Sequence, residues 1–307
     1  MSISPLRWMI TGANGNLGKR LVRALLDDGD DEVVAVVRSS RAMATLNDLE
    51  LDTQADARLS VRVLDYADVE ALHQVALASD RVVHLVGILK ETRMSTYAHA
   101  HAGSTAALLQ ALKGTPVTQL TYMSIVGAHP ESDNSCLASK GEAEELCRQA
   151  AIKTCVLRVP MVLGEKDYAS YALRTRATKP LSFTFRAASL EQPIYAGDVV
   201  RAIASSGRME IDATLDLAGP ETLTRKALTA RAAAVLGITA RVVSLPLGLG
   251  LLLATLMEKF FANPPMTPTM LDVLDHDDHV DVQVACETLK LMDLTSLDDM
   301  LAAVLLT

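Results

Sequence analysis

Three groups of residues have the types and spacing for chemistry. The loop TGANGNLG, residues 11–18, sets Gly12, Gly15 and Gly18 three apart, with Asn14, Asn16 and Leu17 among them. Backbone without side chains can turn sharply there and approach a pyrophosphate, whose charge the amides of a following helix receive. The spacing is not the ordinary G-x-G-x-x-G, so the expectation of a bound dinucleotide rests on the strand, loop and helix context. Lys140, at the start of an apparent helix, follows Cys136 by four residues. A nearby ammonium lowers a thiol pKa, which makes Cys136 a candidate reactive group; the plainer reading is a small apolar filler. Tyr97 and His101, also four apart, share a face of a predicted helix. His101 is either a displaced acid or a hydrogen-bonded packing residue.

Holding these groups in place requires a sheet. The runs RWMIT, EVVAVV, SVRVL, RVVHLV and QLTYMS read as strands, with helices predicted over 16–28 and 97–112. A helix over 139–151, then TCVLRV and TLDLAG, extends the same rhythm. Such alternation predicts an α/β fold, a Rossmann-type doubly wound parallel sheet whose buried strands are nearly continuous in Val, Ile and Leu. After Gly219 the rhythm changes to ETLTRKALTARAAAVLG, a helix with Thr222 or Thr224 as N-cap and Gly237 as stop. A smaller, mainly helical C-terminal lobe is therefore expected. The core would cover 1–164, completed by about 192–220, and the cap 165–191 and 221–307.

On that fold the following strand ends would choose the nucleotide. VVRSSR offers Arg38, Ser39, Ser40 and Arg41 where an NAD enzyme usually places an acid against the ribose 2′-hydroxyl. A planar guanidinium suits a 2′-phosphate, so NADP(H) is expected ahead of NAD(H); otherwise Arg38 is a solvated loop charge. VLDYAD supplies Asp65 and Tyr66 where an adenine edge could be met. HLVG places Gly87 where a missing side chain lets a cofactor pass.

At 307 residues, half of them apolar, the chain can bury a large core. A net charge of −8 and no basic stripe exclude a nucleic-acid partner. The four cysteines form no C-x-x-C pair, as expected of reduced thiols in a cytoplasmic protein, and no export signal is visible. The run from Val242 to Met257, with Pro246, Gly248 and Gly250, has sixteen residues and no charge. Spanning a bilayer takes about 20, so a buried or interfacial helix is expected, with 242–257 as a contact for a membrane surface or a protein partner and a peripheral place at the inner membrane. In LDHDDHVD, Asp275, His276, Asp277, Asp278, His279 and Asp281 resemble a metal site, but a polar loop rarely fixes ligand geometry, and a solvated acidic turn is expected. A loop from Glu165 to Glu191 carries Lys166, Arg174, Arg176 and Arg186, either beside an acidic substrate or as plain surface.

Taken together, TGANGNLG, VVHLVG, AGST, YMSIVGA, CLASKGEAEEL, VLRVPMVLG, PIYAGDVVRAI and LDLAGPETLT resemble the atypical short-chain dehydrogenases over about residues 6–285. Within them the chain is similar to the nucleotide-binding accessory subunit of respiratory complex I of the 39 kDa type, with the NmrA-like proteins as neighbours. The resemblance implies a Rossmann core for NADP(H) and a Tyr-x-x-x-Lys pair aided by a serine. Lys140 matches the lysine and Ser124 the serine, while Cys136 takes the tyrosine position. The cysteine is shorter by a ring and cannot reach a carbonyl placed for a phenol. The resemblance also implies that Arg158 and Pro160 line a nicotinamide pocket, that His101 lies near the cofactor, and that Asp198 joins core to cap. Two functions follow. One is a structural or sensing binder of NADP(H) with an incomplete catalytic set, linked to a respiratory complex. The other is an NADPH-dependent reductase of a quinone or similar electrophile, whose product solvent can protonate. The small-molecule substrate is not specified by the sequence.

Overall fold

Runs of Val, Ile and Leu that are apolar at every position need cover on both faces, and a parallel sheet between helices supplies it. The computed structural model describes residues 4–47, 49, 51–92, 95–260, 267–273 and 277–306. Arg7–Thr11 (β1), Glu32–Val37 (β2), Leu59–Val63 (β3), Arg81–His84 (β4), Gln119–Ile125 (β5), Lys153–Val159 (β6) and Ala213–Asp216 form one seven-stranded sheet. Its order is Ala213–Asp216, β6, β5, β4, β1, β2, β3, with every pairing parallel. The order reverses between β4 and β1, which opens a crevice beyond their carboxyl ends.

Alternation along β1 divides the core. Trp8 and Ile10 pack with Leu21, Leu25, Val199 and Ile203 on one face, and Met9 packs with Leu72, Leu108, Tyr122 and Cys147 on the other. The predicted Rossmann sheet is thus observed, with helices on both sides.

Several boundaries differ from expectation. The helix expected from Ser139 runs Ser135–Gln149, because the Asn134 carboxamide oxygen accepts from the Cys136 and Leu137 amides. Cys136 therefore lies in its first turn, one turn before Lys140. The helix expected over 97–112 contains a wider π turn at His99–Gly103 before Ser104–Ala111.

The expected loop from Glu165 to Glu191 contains a helix, Tyr168–Ala177, and a strand, Leu181–Phe185. The apolar run 242–257 is not one helix. It divides at Pro246, which has no amide to continue a ladder, into the strand Arg241–Leu245 and the helix Leu247–Phe260. The two strands pair in parallel as a separate sheet. The helix Arg225–Val235 starts on Thr224, whose hydroxyl accepts from the Ala227 amide, and stops at Gly237 with φ 71°. A third core cluster joins Leu163, Leu173 and Leu228 to Leu297, Met300 and Leu301. Beside it, the buried Asp198 carboxylate accepts from the Thr295 amide and hydroxyl at 2.7 and 2.9 Å and tethers the C-terminal segment.

Candidate functional site

The glycine loop leaves β1 at the crevice. Gly12 adopts φ +76°, a left-handed conformation, and a Cβ there would meet the Leu85 carbonyl carbon at 3.0 Å. A Cβ on Gly18 would lie 2.6 Å from the carbonyl oxygens of both Gly12 and Ala13. Gly15 is exposed and caps the helix Asn16–Asp27 without a side chain, and no acid occupies that helix's first turn. Its leading amides therefore face the crevice with no side-chain acceptor, as a diphosphate requires. Asn14 and Leu17 are half-buried in the loop and Asn16 is exposed, while burial pushes up the pKa of the Asp167 carboxyl.

Tyr66 fixes this loop from beneath. Its hydroxyl accepts from the Gly12 amide at 3.0 Å and donates to the Val36 carbonyl at 3.2 Å. Tyr66, expected at an adenine edge, is buried with its hydroxyl committed to the loop. Asp65 stays exposed, with its carboxylate accepting from the Ala67 amide. Arg38 is exposed at the end of β2, its guanidinium 5.9 Å from the Tyr66 ring centroid, while the Ser39 hydroxyl caps the short helix Ser40–Ala44.

Across the crevice the chain leaves β4 at Gly87, which is exposed. A Cβ on Gly87 would lie 3.5 Å from both His101 Nε2 and Lys140 Nζ, so residues far apart in sequence converge here. Lys140 is buried, donates to the Met123 carbonyl at 2.7 Å and sits 4.8 Å from the Tyr122 ring centroid. Burial lowers its pKa to about 8.

His101 is tied at both nitrogens. The Ile88 amide can only donate, so Nε2 accepts at 3.2 Å; Nδ1–H then donates to Ser139 Oγ at 2.8 Å, and Ser139 donates to the Cys136 carbonyl at 3.0 Å. Burial, reinforced by Lys140, lowers the His101 pKa to about 3, so the ring is neutral near pH 7 and its one N–H is committed to Ser139. Of the two roles expected, it has the geometry of the packing residue. Its ring lies 5.7 Å from that of Tyr97, on the shared face the spacing predicts.

Burial also raises the Cys136 thiol, against the opposing pull of Lys140, which favours the small filler over the thiolate. Ser124 and Arg158 turn elsewhere. The Ser124 hydroxyl donates to Glu144, and the same buried carboxylate takes Arg158 Nε at 3.0 Å. Neither bonds Lys140: the expected serine and Arg158 are both held on Glu144. The structure thus gathers Gly87, His101, Lys140 and Cys136 on one side of the crevice and the glycine loop on the other.

A second buried chain was not foreseen. Thr11 Oγ1 lies 2.6 Å from His84 Nδ1, His84 Nε2 lies 3.2 Å from Ser104 Oγ, and Ser104 donates to the Ala100 carbonyl. Its only trace in the sequence is a polar residue ending each of two apolar strands. In the acidic segment, Asp275 and His276 lie outside the described residues, and Asp277 accepts from the Ser189 hydroxyl and Leu190 amide at 2.8 and 2.9 Å. No three His, Cys, Asp or Glu among the described residues are grouped to hold a metal. No helix among them is long and apolar enough to cross a membrane.

Comparison with known proteins agrees with this geometry. A family model described as NAD(P)H-binding matches residues 12–192. A ceramide reductase of Caulobacter vibrioides is 27% identical over 52% of this chain and 47% of its own length, so the match spans about half of that relative. Subunit 9 of the mouse mitochondrial NADH dehydrogenase [ubiquinone] 1 alpha subcomplex is 24% identical over 87% of this chain and 70% of its own length. A UDP-glucuronic acid 4-epimerase of Bacillus cereus, solved with UDP-glucuronic acid and NAD, superposes with a TM-score of 0.73 at 19% identity, covering 97% of each chain. That likeness concerns the fold. With a match over more than half its length, on a parallel sheet that presents the glycine loop, the chain belongs to the NAD(P)H-binding family and has the fold of an atypical short-chain dehydrogenase.

Proposed function

We propose that the protein is an NADP(H) binder whose proton-transfer set is incomplete, with the nucleotide held for a structural or sensing role. The observation that carries this is Lys140 beside Gly87 with a buried, protonated Cys136 one helical turn away and the Ser124 hydroxyl committed to Glu144. A bound nucleotide would supply hydride chemistry; around it, Gly12, Gly15 and Gly18 receive the diphosphate and Lys140 holds a hydroxyl of the nicotinamide ribose. No phenol stands where the family places one. Native mass spectrometry of freshly purified protein is expected to find NADPH retained; a protein that never carries or binds a nucleotide overturns the reading.

The choice of NADP(H) over NAD(H) rests on Arg38 and Arg41, both exposed beyond β2, and on the lack of an acid at that strand end. A guanidinium on a 2′-phosphate is worth about 1.5–3 kcal/mol, or about 10- to 100-fold. Thermal shifts are therefore expected to be larger with NADPH than NADH, and Arg38→Glu to remove that difference by repelling the phosphate. Equal shifts in the wild-type protein would refute the assignment.

A link to a respiratory assembly is supported by the NADH dehydrogenase subunit among the relatives, and we place the partner contact on 242–257. A working reductase is the second reading, favoured by one observation: Lys140, with its pKa lowered to about 8, keeps hydrogens beyond the one given to Met123. NADPH consumption with a quinone panel separates the two. The binder reading expects turnover at background; robust turnover lost in Lys140→Ala makes the protein a reductase.

A further inference from the structure

The helix Leu247–Phe260 is inverted relative to a helix of a water-exposed surface. Its small residues face inward: Ala254 is fully buried, and a Cβ on Gly250 would lie 2.8 Å from the Phe185 ring. Its large ones face out. Leu252, Leu256 and Phe260, at four-residue spacing, are 58, 42 and 79% exposed, with Leu253 beside them at 41%. An amphipathic helix buries its large apolar stripe, so this stripe awaits a partner. The adjoining sheet continues it, because Leu181 and Phe183 are exposed and the parallel register sets Arg241 beside Leu181 and Val243 beside Phe183 on the same face.

Charge tells what the partner is. The whole chain carries −8, yet residues 168–190 and 222–260, which build this region, contain nine basic residues and one acidic residue, Glu258; Arg225 and Arg231 are paired with Glu191, Glu221 and Asp298. Arg174, Lys179 and Arg241 are exposed, and the Arg241 amide donates to the Pro180 carbonyl at 2.7 Å, which sets Lys179 and Arg241 at one end of the apolar sheet face. A protein groove would cover the leucines equally well but gives no reason for so basic a surround on an acidic chain. Anionic headgroups do, since acids would be repelled and bases attracted there.

We infer that this face docks on an anionic phospholipid bilayer. The helix has 14 residues. At about 1.5 Å per residue it is too short to cross, so it lies in the interface with its leucines among the acyl chains. The inference rests on the partner contact placed at 242–257 and gives it a chemistry. It also concerns the site: the next helix, Pro268–Val273, receives a hydrogen bond at its Thr269 carbonyl from Asn134, the residue that caps the Cys136 and Lys140 helix.

The full chain, sedimented with phosphatidylcholine vesicles containing about one quarter phosphatidylglycerol, is expected to bind at least about tenfold more than with phosphatidylcholine alone, and less at high salt. Leu252→Asp with Leu256→Asp should abolish binding, and Lys179→Glu with Arg241→Glu should lower it about tenfold. All four positions are exposed, and the NADPH thermal shift should be unchanged in both variants. No binding to either vesicle, equal binding to both, or a solution dimer that the same aspartates dissolve would overturn the inference. Failure of the nucleotide reading would show separately, as no NADPH shift in the wild-type protein whatever the vesicles do.

Discussion

Replacing Gly18 with alanine should abolish nucleotide binding. The new methyl would lie 2.6 Å from the carbonyl oxygens of Gly12 and Ala13, both backbone atoms, so relief requires the loop or the helix to move. The loop cannot yield freely, because the Gly12 amide is bonded to the Tyr66 hydroxyl at 3.0 Å and Tyr66 is anchored on Val36. The helix must then retreat, taking its leading amides out of line with the diphosphate. We expect NADPH affinity to fall at least about 100-fold, equivalent to about 2.7 kcal/mol, and the fold to lose about 1–3 kcal/mol to overpacking. Gly15→Ala separates the two effects. Gly15 has φ −69° and a Cβ there would meet only the Gly12 carbonyl, at 3.3 Å, so the fold should tolerate it. Any loss of affinity there reports the approach of the ligand itself. Calorimetric titration with NADPH and urea melts measure both quantities. Wild-type affinity in Gly18→Ala would mean that the nucleotide does not use this loop.

The parts of this architecture that the sequence announced are those with a strong local signal. RWMIT and EVVAVV are strands at their expected limits because buried parallel strands are apolar at every position. The glycine loop was readable because only glycine satisfies its backbone. The helix of Cys136 and Lys140 began earlier than expected because Ser132, Asp133, Asn134 and Ser135 are all capable caps, and only the fold shows which one turns its oxygen inward. An apolar strand and an apolar helix look alike in hydropathy, so the break at Pro246 was hidden within one run. Side-chain direction was the least accessible of all. Ser124 and Arg158 stand on neighbouring strands at paired positions, and what draws both away from Lys140 is Glu144 on the helix above, a tertiary fact no motif carries. The same holds for Tyr66, which the sequence placed near the nucleotide but could not place under the loop.

Acid should unfold this protein before most of its carboxylates titrate. His84 and His101 are both fully enclosed, and burial, with Lys140 adding repulsion, lowers each pKa from 6.5 to about 3. A base whose folded pKa is depressed costs nothing above its unfolded value, where both states are neutral. Below pH 6.5 the unfolded chain takes up protons that the folded one refuses, so stability falls as pH drops towards about 3. Each ring removes about 1.4 kcal/mol per pH unit, and together they remove about 5 kcal/mol by about pH 4.5, comparable to the whole stability of an ordinary domain. Urea melts at about pH 7 and pH 5 should therefore differ steeply, and His84→Gln should remove about half of the difference, since an amide can keep one of the ring's contacts without titrating. A flat profile, or an unaltered slope in the variant, would show that one or both rings open to water. The nucleotide site should fail first, because a protonated His101 turns Nε2 into a donor facing the Ile88 amide, which is itself a donor. The turn at Gly87 would then be pushed from Lys140, and NADPH release on acidification should precede loss of the sheet. Lys140 acts with the same sign in a higher window: with its folded pKa at about 8, its burial penalty persists below that pH and fades as pH rises towards the free value of 10.5. The same crevice that excludes water from three nitrogen bases thereby sets both the acid limit of the fold and the charge available to a ribose.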